Sequence, residues 1–130
     1  MAKQLILLVD DEPVWQRLLS RFFIFHGYNV LTASSCAGAI EEVKLNRPDC
    51  MVLDFNLSDG DGSAVCAGIR ASEEQNVPIV IFSSDPAAEG CLTGEYPADK
   101  FLLKGSPLPE LLAAVQELLA VSGRWRGHLS

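Results

Sequence analysis

The sequence predicts an α/β domain, a doubly wound parallel sheet of five strands with helices on both faces. Three observations predict it. Short apolar runs of strand length recur five times, stretches of helical period separate them, and no linker, repeat or low-complexity run breaks the alternation. A continuous apolar run is the mark of a strand buried on both faces, as parallel sheets require. Right-handed crossovers then place the intervening helices above and below the sheet.

Taken in order, Leu5 to Val9 is the first strand. Val14, Trp15, Leu18, Leu19, Phe22 and Phe23 recur at helical spacing, with Pro13 suited to a first turn and Gly27 to a stop. Tyr28 to Thr32 is the second strand. Ser34 or Ser35 can cap a helix whose apolar line is Ala37, Ile40 and Val43, closed by Asn46-Arg47-Pro48. Asp49 to Leu53 is the third strand, and a polar loop from Asp54 to Gly62 feeds a helix from about Ser63 to Ala71. Pro78 opens the fourth strand, Ile79 to Phe82. From Ser84 to Asp99, Pro86, Gly90, Gly94 and Pro97 interrupt any long helix, so an irregular or shortened fourth helix is expected. Lys100 to Leu103 is the fifth strand. Leu108, Leu111, Leu112, Val115, Leu118 and Leu119 form the clearest amphipathic helix. The reading is one domain over 1–122 and a short basic tail over 123–130, with no output domain; a frayed end is the expectation for Trp125.

Composition narrows the function. With 130 residues, 48% apolar and 21% charged, the chain can bury a core without staples. A formal charge of −7 disfavours a nucleic-acid surface, which needs clustered Lys and Arg. No signal segment or membrane span is legible, and Cys36, Cys50, Cys66 and Cys91 show no metal-ligand spacing. They are expected as reduced core thiols of a cytosolic, bacterial-style protein. His26 closes a helix and is expected to be structural or solvated rather than a phosphodonor.

Ligands of such sheets bind beyond the carboxyl ends of the strands. Those ends read Val9-Asp10-Asp11-Glu12, Leu53-Asp54, Phe82-Ser83-Ser84 and Leu103-Lys104. One sheet edge therefore gathers three aspartates, a hydroxyl and an ammonium. Taken alone, Asp10, Asp11 and Glu12 are also what caps a helix N-terminus. Two unit charges ~4 Å apart repel by roughly 4 kcal/mol at an effective dielectric near 20. A hard dication such as Mg²⁺ relieves that repulsion and leaves room for a phosphate oxygen. Lys104 suits an oxyanion, and Asp54 is then a carboxylate nucleophile. Asp59 and Asp61 read as loop and cap residues, and Asp85 as a cap.

On these pieces the chain resembles a response-regulator receiver domain of two-component signalling, from Gln4 to about Val121. The matching segments are Leu8-Val9-Asp10-Asp11-Glu12-Pro13, Asp54 through Gly62, Pro78 through Ser84, and Ala98 through Lys104. The resemblance implies a flavodoxin-like (βα)5 fold with strand order 2-1-3-4-5. It implies Asp54 as phosphoacceptor, with Asp11, Asp54 and the Asn56 backbone carbonyl holding Mg²⁺ (or Mn²⁺) and Asp10 acting through water. It further implies that Lys104 pairs with Asp54 or its phosphate and that Ser83 and Phe101 form the switch. The partners implied are a sensor histidine kinase or phosphotransfer protein and a downstream protein target. A weak homodimer stays open, and neither nucleic acid nor membrane is expected.

The expected function is a phosphorylation-activated switch or phosphorelay shuttle, catalytic only in its own phosphorylation and dephosphorylation. An Mg²⁺-dependent phosphohydrolase with an aspartyl nucleophile is the alternative, but Asn56 stands where that chemistry wants a general acid. A phosphate-independent binding module of the same fold is disfavoured by intact Asp54, Asp11 and Lys104. The chain departs from the family pattern at Ser58 and Gly105, each in place of a frequent proline, and at Phe101 in place of tyrosine. With Gly105, either a cis peptide is retained or Lys104 is aimed differently.

Overall fold

A computed structural model describes residues 3–127, with side chains to Val121. Its main sheet is parallel and has the order β2-β1-β3-β6-β7: β1 (Leu5–Val9), β2 (Asn29–Ala33), β3 (Cys50–Leu53), β6 (Ile79–Ser83) and β7 (Lys100–Leu103). This is the expected doubly wound order. A two-residue hairpin, β4 (Asn56–Leu57) and β5 (Gly60–Asp61), lies within the segment expected only as a loop. The helices are α1 (Pro13–Phe25), α2 (Cys36–Asn46), α3 (Gly62–Arg70) and α4 (Leu108–Gly127), with a 3₁₀ segment over Pro86–Leu92.

Alternation along each strand sorts the core into two layers. Leu7, Val9, Met51, Leu53, Ile79 and Ile81 point to one face, where Ala39, Val43, Val65, Cys66, Ile69, Ala88 and Cys91 cover them. Ile6, Leu8, Cys50, Val52, Val80 and Phe82 point to the other, under Leu19, Phe23, Leu111, Val115 and Leu119. Thus α2, α3 and the 3₁₀ segment flank one face, and α1 and α4 the other. All four cysteines are free and buried, as core thiols. Burial holds Cys36 protonated, its thiol pushed up to about 11 with help from Asp59.

Two helix faces differ from the sequence reading. In α1 only Leu19 and Phe23 are buried, whereas Val14 and Leu18 are 64% and 45% exposed. The apolar stripe of this helix is wider than the sheet beneath it. In α2 the inward line is Cys36, Ala39 and Val43, and Ala37 faces out. Asp59 accepts hydrogen bonds from the amides of Cys36 (2.7 Å) and Ala37 (3.2 Å), which fixes the rotation of that first turn. Ser35 supplies the second cap, accepting from Gly38 at 3.0 Å.

The expected weakness between Ser84 and Asp99 is real. Only the 3₁₀ segment forms there, started by Asp85, whose carboxylate accepts the Ala87 amide at 2.9 Å. At its far end Arg70 ties the chain down. Its guanidinium donates to the carbonyls of Pro97, Gln75 and Val77 (2.8, 2.7 and 2.6 Å) and to Asp99 at 2.9 Å. The backbone of α4 continues as helix to Gly127, beyond the end read from sequence. The Trp125 side chain and His128 lie outside the described residues. No helix among the described residues is long and apolar enough to cross a membrane.

Candidate functional site at the carboxyl edge of the sheet

The chain runs outward from β1 to β2 on one side and to β3 on the other, so β1 and β3 border the switch point. Ladder bonds extend past the strand ends and fix the loops. The Asp54 amide donates to the Val9 carbonyl at 2.9 Å, Asp10 to Ala33 at 3.0 Å, and Lys104 to Ser83 at 2.9 Å. Asp10, Asp54 and Lys104 are thereby placed by backbone bonds that continue the sheet ladder.

Carboxylate oxygens of Asp10, Asp11, Glu12 and Asp54 lie within 4.8 Å of one another. Asp10 and Asp54 are 3% and 6% exposed, while Asp11 and Glu12 face solvent. The structure therefore assembles the aspartates read from sequence and adds Glu12, which was read only as a capping acid. Its signal was its place immediately after Asp11 at a strand end. Such a set of hard oxygen donors fits a hard dication and no soft metal.

Lys104 is the cation of this edge. Its ammonium donates to Asp10 at 2.8 Å and to Asp54 at 3.3 Å, with only 7% of the side chain exposed. The sequence reading paired Lys104 with Asp54; the nearer partner is Asp10. The Lys104–Gly105 peptide is trans, and the turn that follows, closed by Ser106 donating to Leu103 at 2.9 Å, still brings the side chain to both aspartates. Burial acts to lower the Lys104 pKa, but the hydrogen bond and charge of Asp10, then Asp54, outweigh it and raise it. For Asp54 burial dominates and raises the carboxyl above its ordinary range. Lys104 pulls it back and Asp10 pushes it further up.

Ser83 is fully buried at the end of β6, and its hydroxyl accepts the Asp85 amide at 3.2 Å. Phe101 is half-buried against the layer covered by α2 and α3. Asn56 sits exposed in the hairpin beside the acids. Gly62 lets this loop fold back: its amide donates to Phe55 at 2.6 Å, and a Cβ there would stand 3.2 Å from the Phe55 backbone. Asp61 caps α3, accepting from Ser63 at 2.9 Å and Ala64 at 3.2 Å, as expected for a cap residue.

Two residues at the site escaped the sequence reading. Gln16 donates to the Asp10 carbonyl at 2.6 Å and to the Ser34 hydroxyl at 3.0 Å, bracing the β1 loop. Trp15, read as helix packing, presents its ring to Lys104 with the ammonium 4.8 Å from the centroid. Their signal was position: a helix that follows β1 begins at the carboxyl edge, so its first turn borders the site.

A five-stranded doubly wound sheet with buried aspartates and one lysine at its carboxyl edge defines the receiver class of signalling domains. The response regulator receiver domain matches residues 6–116, and the chain belongs to that family. It is 35% identical over 114 residues to the response regulator MprA of Mycobacterium leprae, covering 88% of this chain and 50% of that protein. It is also 35% identical over 119 residues to the transcriptional regulatory protein PrrA of Mycobacterium tuberculosis, covering 91% and 51%. The chain thus spans about half the length of the curated relatives it matches. Among solved structures, the receiver domain of the sensor histidine kinase PA1611 from Pseudomonas aeruginosa superposes with a TM-score of 0.83 at 28% identity, over 92% of this chain and 99% of that one. That structure has a magnesium ion coordinated in its active-site cleft. A two-component response regulator from Clostridium difficile gives 0.81 at 28% identity, over 91% and 97%. The chain is accordingly a receiver domain of two-component response regulators.

Proposed function

We propose that Asp54 accepts a phosphoryl group from a phosphohistidine on a sensor histidine kinase or phosphotransfer protein. The observation that carries this reading is the position of Asp54: a buried carboxylate at the end of β3, 3.3 Å from a buried ammonium and clustered with Asp10, Asp11 and Glu12. An Asp54 carboxylate oxygen attacks phosphorus, a P–O bond forms, and the P–N bond breaks with its electron pair leaving on the imidazole nitrogen. Hydrolysis of the acyl phosphate later returns the free carboxylate. This self-limited cycle is the only catalysis in the proposal.

The acidic oxygens of Asp11 and Asp54, with the backbone carbonyl of Asn56 and Asp10 through water, are proposed to hold Mg²⁺, for which Mn²⁺ can substitute. When bound, the dication neutralises the carboxylates and draws a phosphoryl oxygen toward Asp54. Lys104 has its own part. As a buried, positively charged donor 3.3 Å from Asp54 it can turn to a phosphoryl oxygen on that carboxylate without moving far. Ser83 can exchange its bond with the Asp85 amide for one to the phosphoryl group, and Phe101 lies on the neighbouring strand to respond by packing inward. A partner protein then reads the altered face, which is a two-state element biased by one charge change.

Intact-mass measurement after incubation with acetyl phosphate, with and without Mg²⁺, tests this reading. A Mg²⁺-dependent gain of one phosphoryl group in the wild type, absent from Asp54→Asn, is the expected result. An equal gain in both proteins would remove Asp54 from the role. If neither protein gains mass, phosphate release from acetyl phosphate decides between rapid turnover and no acceptance.

A further inference from the structure

Among the described residues three side chains meet the Lys104 ammonium, and two of them are compromised by the chemistry proposed above. Asp10 and Asp54 accept its bonds at 2.8 and 3.3 Å, yet both belong to the acidic set that would hold a dication. Whatever charge those carboxylates give to a metal is withdrawn from the ammonium until a phosphoryl oxygen arrives to replace it. The third neighbour is the Trp15 indole, 4.8 Å from ammonium to ring centroid. Its attraction comes from the ring quadrupole, which depends on neither ionisation nor metal occupancy.

The ring is itself held. Trp15 meets Phe82 edge-to-face, with centroids 5.6 Å apart and planes at 85°, and packs half-buried on the layer beneath α1 and α4. Phe82 precedes Ser83 on β6, so the platform under Lys104 is anchored to a strand that ends at the site. Tryptophan is the strongest of the aromatic platforms for a cation, and the interaction grows where water is excluded, as around this 7% exposed lysine side chain.

We propose that Trp15 is a positioning residue of the phosphoryl site, its indole face holding the Lys104 ammonium beside Asp54 while Asp10 and Asp54 are engaged elsewhere. This rests on Asp54 being the acceptor. The assignment goes beyond packing: a merely structural Trp15 would act identically whether or not residue 104 is charged.

The test is a double-mutant cycle of Trp15→Leu and Lys104→Gln, with Trp15→Phe as the conservative variant. Urea unfolding without Mg²⁺ reads the contact itself. The expected coupling is at least roughly threefold in the unfolding equilibrium constant. The rate of phosphorylation by acetyl phosphate, followed by intact mass against donor concentration, reads the role. Trp15→Leu is expected to lower the saturating rate by roughly five- to tenfold with little change in the donor concentration at half-saturation, and Trp15→Phe to recover most of it. Additive stabilities, or a Trp15→Leu rate equal to wild type, overturn the proposal with Asp54 still the acceptor. A wild type that neither gains mass nor releases phosphate from acetyl phosphate overturns the acceptor reading, and the assignment of Trp15 falls with it.

Discussion

Near the two ends of strand β7 lie two cations that face opposite problems, the half-buried Arg70 at the end of α3 and the Lys104 that follows the strand. At the amino edge, Arg70 meets three carbonyls and Asp99, and Asp99 also accepts the Ile79 amide at 2.7 Å. Asp49 does the same for β1, accepting the Leu5 amide at 2.7 Å. Arg70, Asp99 and Asp49 are each bonded there to backbone groups at or near the strand starts. At the carboxyl edge, Lys104 is the one cation among the described residues paired with the cluster of Asp10, Asp11, Glu12 and Asp54, meeting Asp10 and Asp54 and leaving a surplus of negative charge. The first arrangement closes a structure. The second leaves an attraction for cations that the protein does not itself satisfy, and that is what a binding site needs.

The sharpest way to break this comparison is to remove each cation. Lys104→Met leaves Asp10 and Asp54 buried without their ammonium, and is expected to cost roughly 3–4 kcal/mol in urea unfolding without Mg²⁺. Millimolar Mg²⁺ is expected to restore much of it. Arg70→Ala strands three carbonyls and Asp99, and is expected to cost about 2–3 kcal/mol. Mg²⁺ should not restore that loss, and rescue of both variants alike would erase the distinction between the edges.

Removing an acid from the carboxyl edge should have the opposite sign to removing its cation. Asp54→Asn relieves the repulsion and the burial of a charge, so without Mg²⁺ it is expected to stabilise by about 1 kcal/mol. A destabilised variant would show that Lys104 already balances the site. The smallest effect belongs to a cap. Asp59, exposed and bonded to the amides of Cys36 and Ala37, has its carboxyl held below the ordinary range, first by the Cys36 amide and then by that of Ala37. A depressed folded pKa gives stability that is full above the unfolded value and lost as pH falls through the folded one. Asp59→Asn should therefore lower stability slightly in the neutral region and converge on the wild type below about pH 4, where the wild type has lost the same contribution.

The strands were legible as short apolar runs, plainest in β1, β3 and β6, which are buried on both faces, and their order followed from the family resemblance. The acidic edge was legible because topology alone brings strand ends together. Helix faces were harder to read. α1 carries more apolar residues than it buries, so periodicity could not tell Leu19 and Phe23 from Val14 and Leu18. The rotation of α2 depends on Asp59, a residue 22 and 23 positions away from the amides it caps. The choice of Lys104 between Asp10 and Asp54, and the ring of Trp15 above it, are settled by a turn and a rotamer. No pattern in one dimension encodes either.

The central claim is the uncompensated charge at the carboxyl edge, and thermal unfolding against Mg²⁺ concentration tests it most directly. Binding to the folded state alone raises the melting temperature by mass action, with a stabilisation of about 2.7 kcal/mol when the ion is at a hundred times its dissociation constant. The wild type is expected to rise with Mg²⁺, Asp54→Asn to rise less, and Arg70→Ala to rise as the wild type does from its lower start. A wild type indifferent to millimolar Mg²⁺, or an Asp54→Asn protein that gains as much, would contradict the account.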